Sequence, residues 1–401
     1  MPSTLAGRAE VEQLEVPIIL PIKTARFYRP ELDVVRFLAF AAVFLHHQLP
    51  RSTVQERDGM VLGHLAPGAK VLLAGAANAL GFGMSLFFTL SAYLICALLL
   101  REKERFGTVT LRDFYVRRIL RIWPLYFFGL AIGCAVATFA QKRPHDLVLF
   151  AAFALMAGNW VSMVWHMSTP LNPMMPLWSI SVEEQFYLFC PVTVKHLSRR
   201  GLYIFSWSLI AFSDLSLYIL GQLHVNADRT VWCNSFVQFQ MFGAGLLLCL
   251  WMQKRRVSIP AWGRFASLAG GFVCWLIACL VFGAKQMGPA LSGMSLVSGY
   301  TVGAAGCLLI MIAMLDTNRR SLPGWMIWLG RISFGLYVYH GLALWSIRNM
   351  FVRIHGYEHF LLSFLTSATL TVILAMLSYR FLEMPFLRMK ERFEAVPSRP
   401  V

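Results

Sequence analysis

"RFLAFAAVFLHHQLP" runs from Arg36 to Pro50, and between Arg36 and the paired histidines His46 and His47 every residue is apolar. The pattern is that of a lipid-suited helix with ionisable residues at its two ends. Inside a membrane such residues are costly and mark functional positions by default. Arg36 and His47 are eleven positions apart. At about 100° per residue they fall within about 20° of one helical face, whereas His46 points about 80° away from Arg36. Arg36 and His47 can therefore line one cavity, about 16 Å apart along the axis. The competing reading is that both histidines mark the membrane interface, where amphipathic side chains collect.

The rest of the chain supports a membrane setting. Of its 401 residues 57% are hydrophobic and 14% charged, against about 25% charged in a soluble domain. Apolar runs centre on 33–49, 79–100, 119–140, 146–161, 178–195, 201–221, 232–252, 264–283, 292–314, 329–348 and 360–382. The +16 formal charge lies in short loops between these runs. That is the positive-inside pattern rather than a polyanion-binding face, so no nucleic-acid partner is expected. The first thirty residues lack the features of a cleaved signal peptide. The eight cysteines are scattered without a CxxC pair, which points to neither metal nor redox chemistry. No repeat period is evident.

Charge fixes the topology. Residues 101–121 hold seven Arg or Lys against three acids, and "KHLSRR" (195–200) is also basic. Both belong inside, which three intervening crossings forbid. The 146–161 run is short and precedes the Pro-rich "STPLNPMMP" (168–176), as re-entrant segments often do. The expected fold is an all-α polytopic transmembrane helical bundle of ten spans plus one re-entrant segment. Both termini face the cytoplasm, with "RNMFVR" (348–353) as a basic loop left outside. The expected organisation is a tail (1–27), a membrane domain (28–390) and a second tail (391–401).

Further polar groups stand out. In "PLWSISVEEQFYLFCP" (176–191), Ser179 and Glu183 are four apart and share a face, and Glu184 points away. A helix-start capping role fits them equally. In "FYVRRILRIWP" (114–124), Arg117 and Arg121 share a face beside Arg118. Arginine forks suit phosphates, although a topological anchor explains them as well. Tyr337 and His340 lie within a span in "GRISFGLYVYHGLALW" (330–345), and Arg380 with Glu383 reads as a structural i,i+3 pair.

Taken in order, "LDVVRFLAFAAVFLHH", "FFTLSAYLI" (87–95), "FYVRRILRIWP", "LWSISVEEQFYLFCP", "GRISFGLYVYH" and "SYRFLEMPF" closely resemble the acyltransferase-3 family. These are integral membrane O-acyltransferases, including bacterial O-antigen and peptidoglycan O-acetylases. The resemblance covers roughly residues 28–390. Its Arg-(ten residues)-His hallmark falls on Arg36 and His47, with Asp33 three residues before the arginine. Its Ser-x-x-x-Glu falls on Ser179 and Glu183, and its Arg-x-x-Arg on Arg118 and Arg121. Departures are small: "DVVR" replaces the common DGLR, and Ala92 stands at a usual glycine.

The resemblance implies a cytoplasmic acyl-CoA donor, acetyl-CoA first, as co-substrate with no permanently bound cofactor or metal. It implies an inner-membrane location, and a hydroxyl acceptor on a carbohydrate or glycosylated molecule across the membrane. Arg117, Arg118 and Arg121 would hold the CoA phosphates. Arg36 would line the channel and His47 would act as general base. Glu183 would orient the base or acceptor and Ser179 would hydrogen-bond to the sugar or the oxyanion, with Asp33, Tyr337 and His340 as secondary candidates. Some members carry a further soluble hydrolase-like domain, for which this sequence leaves no room, so the membrane domain is expected to complete the transfer or hand it on. Acylation of a small secreted metabolite is the alternative within the enzyme class. A transporter without acyl chemistry or a non-catalytic scaffold are the alternatives outside it.

Overall fold

The computed structural model describes residues 27–50, 65–141, 147–164, 173–253, 255–285, 289–355 and 360–396. It is helical throughout, and its only β feature among the described residues is an isolated bridge between Asn226 and Pro289. Among the described residues, seven helical stretches are long and apolar enough to cross a membrane. The first, Pro67–Phe106, joins α2 (Pro67–Ala79) to α3 (Gly83–Phe106) through a tight turn at Leu80–Phe82. The others contain α4 (Leu111–Ala135), α8 (Arg199–Gln222), α9 (Ser235–Met252), α10 (Ala261–Leu280), α11 (Gly293–Met314) and α14 (Phe360–Ser378).

Among the described residues, three more helices have the length but not the apolarity: α1 (Pro30–Gln48), α7 (Trp178–His196) and α13 (Ser333–His355). They are the helices that carry Arg36 and His47, Ser179 and Glu183, and Tyr337 and His340. A polar helix is tolerated at membrane depth only where protein, not lipid, surrounds it. Accordingly α1 is mostly buried, whereas α10 and α14 are largely exposed and present Trp262, Phe265, Leu361 and Leu365 outward. The polar helices lie inside with the apolar α3 and α9, and α8, α10 and α14 form the outer wall.

The weak 146–161 run is not one helix. It forms α5 (Leu147–Ala154) and α6 (Gly158–Val164), separated at Met156, whose φ is 56°. At 1.5 Å per residue neither reaches half of a hydrocarbon core about 30 Å thick. The expected 329–348 run is also divided, into α12 (Gly324–Arg331) and α13. Gly330 explains the geometry: a Cβ there would lie 1.9 Å from the Asp33 carbonyl oxygen, so only glycine lets α12 lie against α1 at the site. At the family's usual glycine, Ala92 is fully buried, and the close approach is supplied from the opposite helix by Gly245, whose Cβ would meet the Ala92 methyl at 2.8 Å.

The expected Arg380–Glu383 pair is corrected. Tyr379–Glu383 is a π-helical turn, wider than an α-turn, so positions three apart no longer share a face. Arg380 instead lies by the Phe381 ring, and Glu383 accepts from Ser378 at 3.5 Å. The turn leads into α15 (Met384–Glu391).

Candidate active site

A cavity of about 170 Å³ lies between α1, α3, α4, α7 and α13. Six cations (Arg29, Arg36, Arg117, Arg118, Arg121 and Lys390) and four acids (Asp33, Glu102, Glu183 and Glu394) line it. Ser179, Tyr187 and Tyr337 add hydroxyls. Residues from six distant stretches of sequence thus meet at one place.

Each acid has a defined partner. Asp33, fully buried, pairs with Arg36 at 2.5 Å and accepts from the Tyr28 hydroxyl at 3.0 Å. Burial pushes the Tyr28 phenol above its ordinary value, and that hydroxyl also accepts from Arg331 at 3.2 Å. Glu102 pairs with Arg117 at 3.1 Å and accepts from the Thr110 backbone N–H at 2.8 Å. Glu183 accepts from Ser91 at 2.8 Å and from Tyr187 at 3.2 Å. Lys390 donates to Glu394 at 2.6 Å.

The arginines are not equivalent. Arg117 is committed to Glu102 and to the Phe393 carbonyl at 2.6 Å. Arg118 lies over the Phe114 and Tyr187 rings at 5.5 and 5.6 Å, and its buried Nε has no partner among the described residues. A buried donor of that kind is costly unless a ligand completes it. Arg121 lines the same wall one helical turn beyond Arg117.

A chain of rings leads away from the cavity. Tyr337, at its edge, hydrogen-bonds Ser179 at 2.7 Å and donates to the Pro176 carbonyl. Its ring lies 5.3 Å from that of His340, which lies 5.4 Å from that of His47, which lies 5.1 Å from that of His46. His340 is fully buried. Its Nδ1 contacts the Tyr337 carbonyl oxygen, which fixes the proton on Nδ1 and leaves Nε2 as acceptor. That Nε2 has no hydrogen-bond partner among the described residues.

The sequence expectations divide accordingly. Arg36 lines the cavity, as do Asp33, Ser179, Glu183, Arg117, Arg118, Arg121 and Tyr337. His47 does not; it shares the Arg36 helix but stands beyond Tyr337 and His340, half-buried, with its carbonyl oxygen accepting from Arg348 at 2.9 Å. His46 is the more deeply buried of the pair, its Nδ1 2.7 Å from the Ala77 carbonyl oxygen. It faces a neighbouring helix rather than the interface. Glu184 does not line the cavity. Sequence reading missed Ser91, Tyr187, Glu102, Lys390 and Glu394. Tyr187 had a signal, four residues after Glu183 on the same face, and Ser91 was a lone hydroxyl in an apolar run. Residues 391–396, expected as tail, instead pack on the site through Phe393, Glu394 and Val396.

An acyltransferase domain family matches residues 29–380. The chain belongs to this acyltransferase family. Relatives include "Putative O-acetyltransferase SAS0844" of Staphylococcus aureus strain MSSA476, 26% identical over 93% of this chain and 59% of that protein. The O-acetyltransferase OatA of strain NCTC 8325 is 25% identical over 93% of this chain and 59% of its own length. The chain therefore spans about three fifths of the curated relatives it matches. No solved structure matches it. As an acyltransferase-family member with seven stretches suited to crossing a bilayer, it is a multi-pass membrane protein.

Proposed function

We propose that this protein is an inner-membrane O-acyltransferase. It moves an acyl group, acetyl first, from cytoplasmic acyl-CoA to a hydroxyl of a carbohydrate or glycosylated acceptor. The observation that carries this reading is one cavity with arginines on its wall and a Ser179–Tyr337–His340–His47 file leading out of it. In this reading Arg118 and Arg121 hold phosphates, since guanidinium forks match phosphate oxygens. Arg117 supports them by anchoring Glu102. The pantetheine arm passes Arg36, which Asp33 holds in place.

The thioester end then reaches past Ser179 and Tyr337 to the side where His340 and His47 stand. The acceptor hydroxyl enters from the His47 side. Its oxygen attacks the thioester carbonyl carbon while His47 takes its proton. The Tyr337 or Ser179 hydroxyl turns from its resting partner, the Pro176 carbonyl or the Tyr337 oxygen, to donate to the developing oxyanion. The C–S bond breaks, and the CoA thiolate recovers the proton from the imidazolium. The products are an ester and CoA thiol. His340, fixed as the Nδ1–H tautomer, packs its ring against that of His47 and offers Nε2 as acceptor on the proton path.

Mass spectrometry of envelope glycans and secreted metabolites tests this in cells with the gene, without it, and with His47→Ala. Acyl esters on a glycan, lost in both the deletion and His47→Ala, are expected. Esters confined to a small metabolite would move the acceptor class. No acyl difference in any fraction would overturn the enzyme reading.

A further inference from the structure

The cavity is smaller than its proposed occupant. Its volume is about 170 Å³, whereas sites for drug-sized ligands run from about 300 to 1,000 Å³. CoA is larger than a typical drug. What narrows the cavity on the arginine side is the segment that follows α15. Glu394 and Val396 line the cavity, Arg117 holds the Phe393 carbonyl at 2.6 Å, and Lys390 holds Glu394 at 2.6 Å. Lys390 is buried, and the two side chains are only 8% and 9% exposed. A carboxylate thus sits among the cations where the donor reading puts a phosphate, and Lys390 adds a cation that the Arg-x-x-Arg motif does not contain.

We propose that Lys390 is a phosphate-binding residue of the donor site and that Glu394 is its built-in counter-ion, displaced when the donor binds. The inference rests on the acyl-CoA reading above and adds to it a named residue and an exchange step. Before the donor binds, the carboxylate satisfies the ammonium, which avoids a buried unpaired charge. When CoA arrives, a phosphate oxygen takes the place of the Glu394 carboxylate on Lys390. Residues 393–396 move off with the carboxylate, and the Arg117 bond to Phe393 is released. The cavity opens in the same step. No covalent bond changes; one ion pair is exchanged for another.

The two partners must therefore act with opposite sign, which a merely structural pair would not do. The experiment is calorimetric titration of CoA, and of dephospho-CoA as a second probe, into the purified full chain in nanodiscs of neutral lipid. Glu394→Gln keeps the shape and removes the competing charge, so CoA should bind roughly ten-fold tighter. Lys390→Ala should bind roughly ten-fold weaker, and Lys390→Arg should restore affinity. A near-isosteric Glu394→Gln guards against loss of fold, and a thermal melt on each variant identifies any that is not folded. Unchanged or weaker CoA binding in folded Glu394→Gln, with binding in the wild type intact, overturns the exchange alone. Failure of the wild type to bind either probe overturns the donor reading and the exchange with it. If anionic-lipid nanodiscs abolish the Glu394→Gln gain in CoA affinity, a lipid headgroup is the displacing phosphate and the donor assignment of Lys390 is wrong.

Discussion

Arg117 and Arg118 are neighbours in sequence, and their removal should have opposite consequences. Arg117→Ala orphans Glu102, whose side chain is only 4% exposed. Breaking a buried pair by deleting one partner costs about 3–5 kcal/mol. The Thr110 N–H still donates to Glu102 at 2.8 Å, so the low end, about 3 kcal/mol, applies. Arg118→Ala breaks no direct ion pair among the described residues. It removes a buried guanidinium with an unmet Nε and forfeits two ring contacts. Desolvation relieved and packing lost nearly offset, leaving stability within about 1 kcal/mol of the wild type. CoA binding should behave the other way. Loss of a charge-assisted phosphate contact worth about 1.5–3 kcal/mol weakens affinity roughly ten- to hundred-fold in Arg118→Ala. Thermal unfolding in detergent and CoA titration, run on both variants, separate the two effects. If Arg118→Ala is as destabilised as Arg117→Ala and retains full CoA affinity, the division of labour between them is wrong.

His47→Ala should lower acyl-CoA consumption by roughly 10²–10⁴ while the protein remains folded. His46→Ala should instead lower stability by about 1–3 kcal/mol, through the Ala77 contact, and leave turnover largely intact; activity at matched expression, with melts, compares them. Tyr337→Phe should cost roughly 10² in turnover with donor affinity unchanged, read as kcat against the CoA Kd, if its hydroxyl serves the oxyanion. A cysteine placed at Ser198 in a cysteine-free background should be shielded from an impermeant reagent added outside; labelling from outside would refute the ten-span topology.

What was legible in the sequence followed from local geometry. Ser179 with Glu183, and Arg117 with Arg121, lie four apart and share faces in the structure, as helical spacing dictates. That the helices bearing these polar residues lie inside the bundle follows from the same cost of charge in lipid that made them conspicuous. Arg36 and His47 are indeed on one helix, yet their shared face was not enough to put them in one cavity, because Tyr337 and His340 from α13 stand between. Such intervention is tertiary and leaves no mark on the α1 sequence. Lys390 and Glu394 were invisible for a related reason: a basic stretch after the last apolar run reads as a solvated tail until a fold returns it to the site. The π-turn at Tyr379–Glu383 likewise overrode an α-helical pairing that spacing alone supports.

The central claim is transfer of an acyl group from a CoA thioester to a hydroxyl within this membrane domain. Inverted membrane vesicles carrying the full chain, supplied outside with acetyl-CoA labelled in its acetyl group, test it most directly. Label should accumulate as alkali-labile ester in the vesicle lumen or membrane, with stoichiometric release of CoA thiol, and His47→Ala vesicles should show neither. Label that stays on CoA in wild-type vesicles, or ester that forms equally well without His47, would contradict the account.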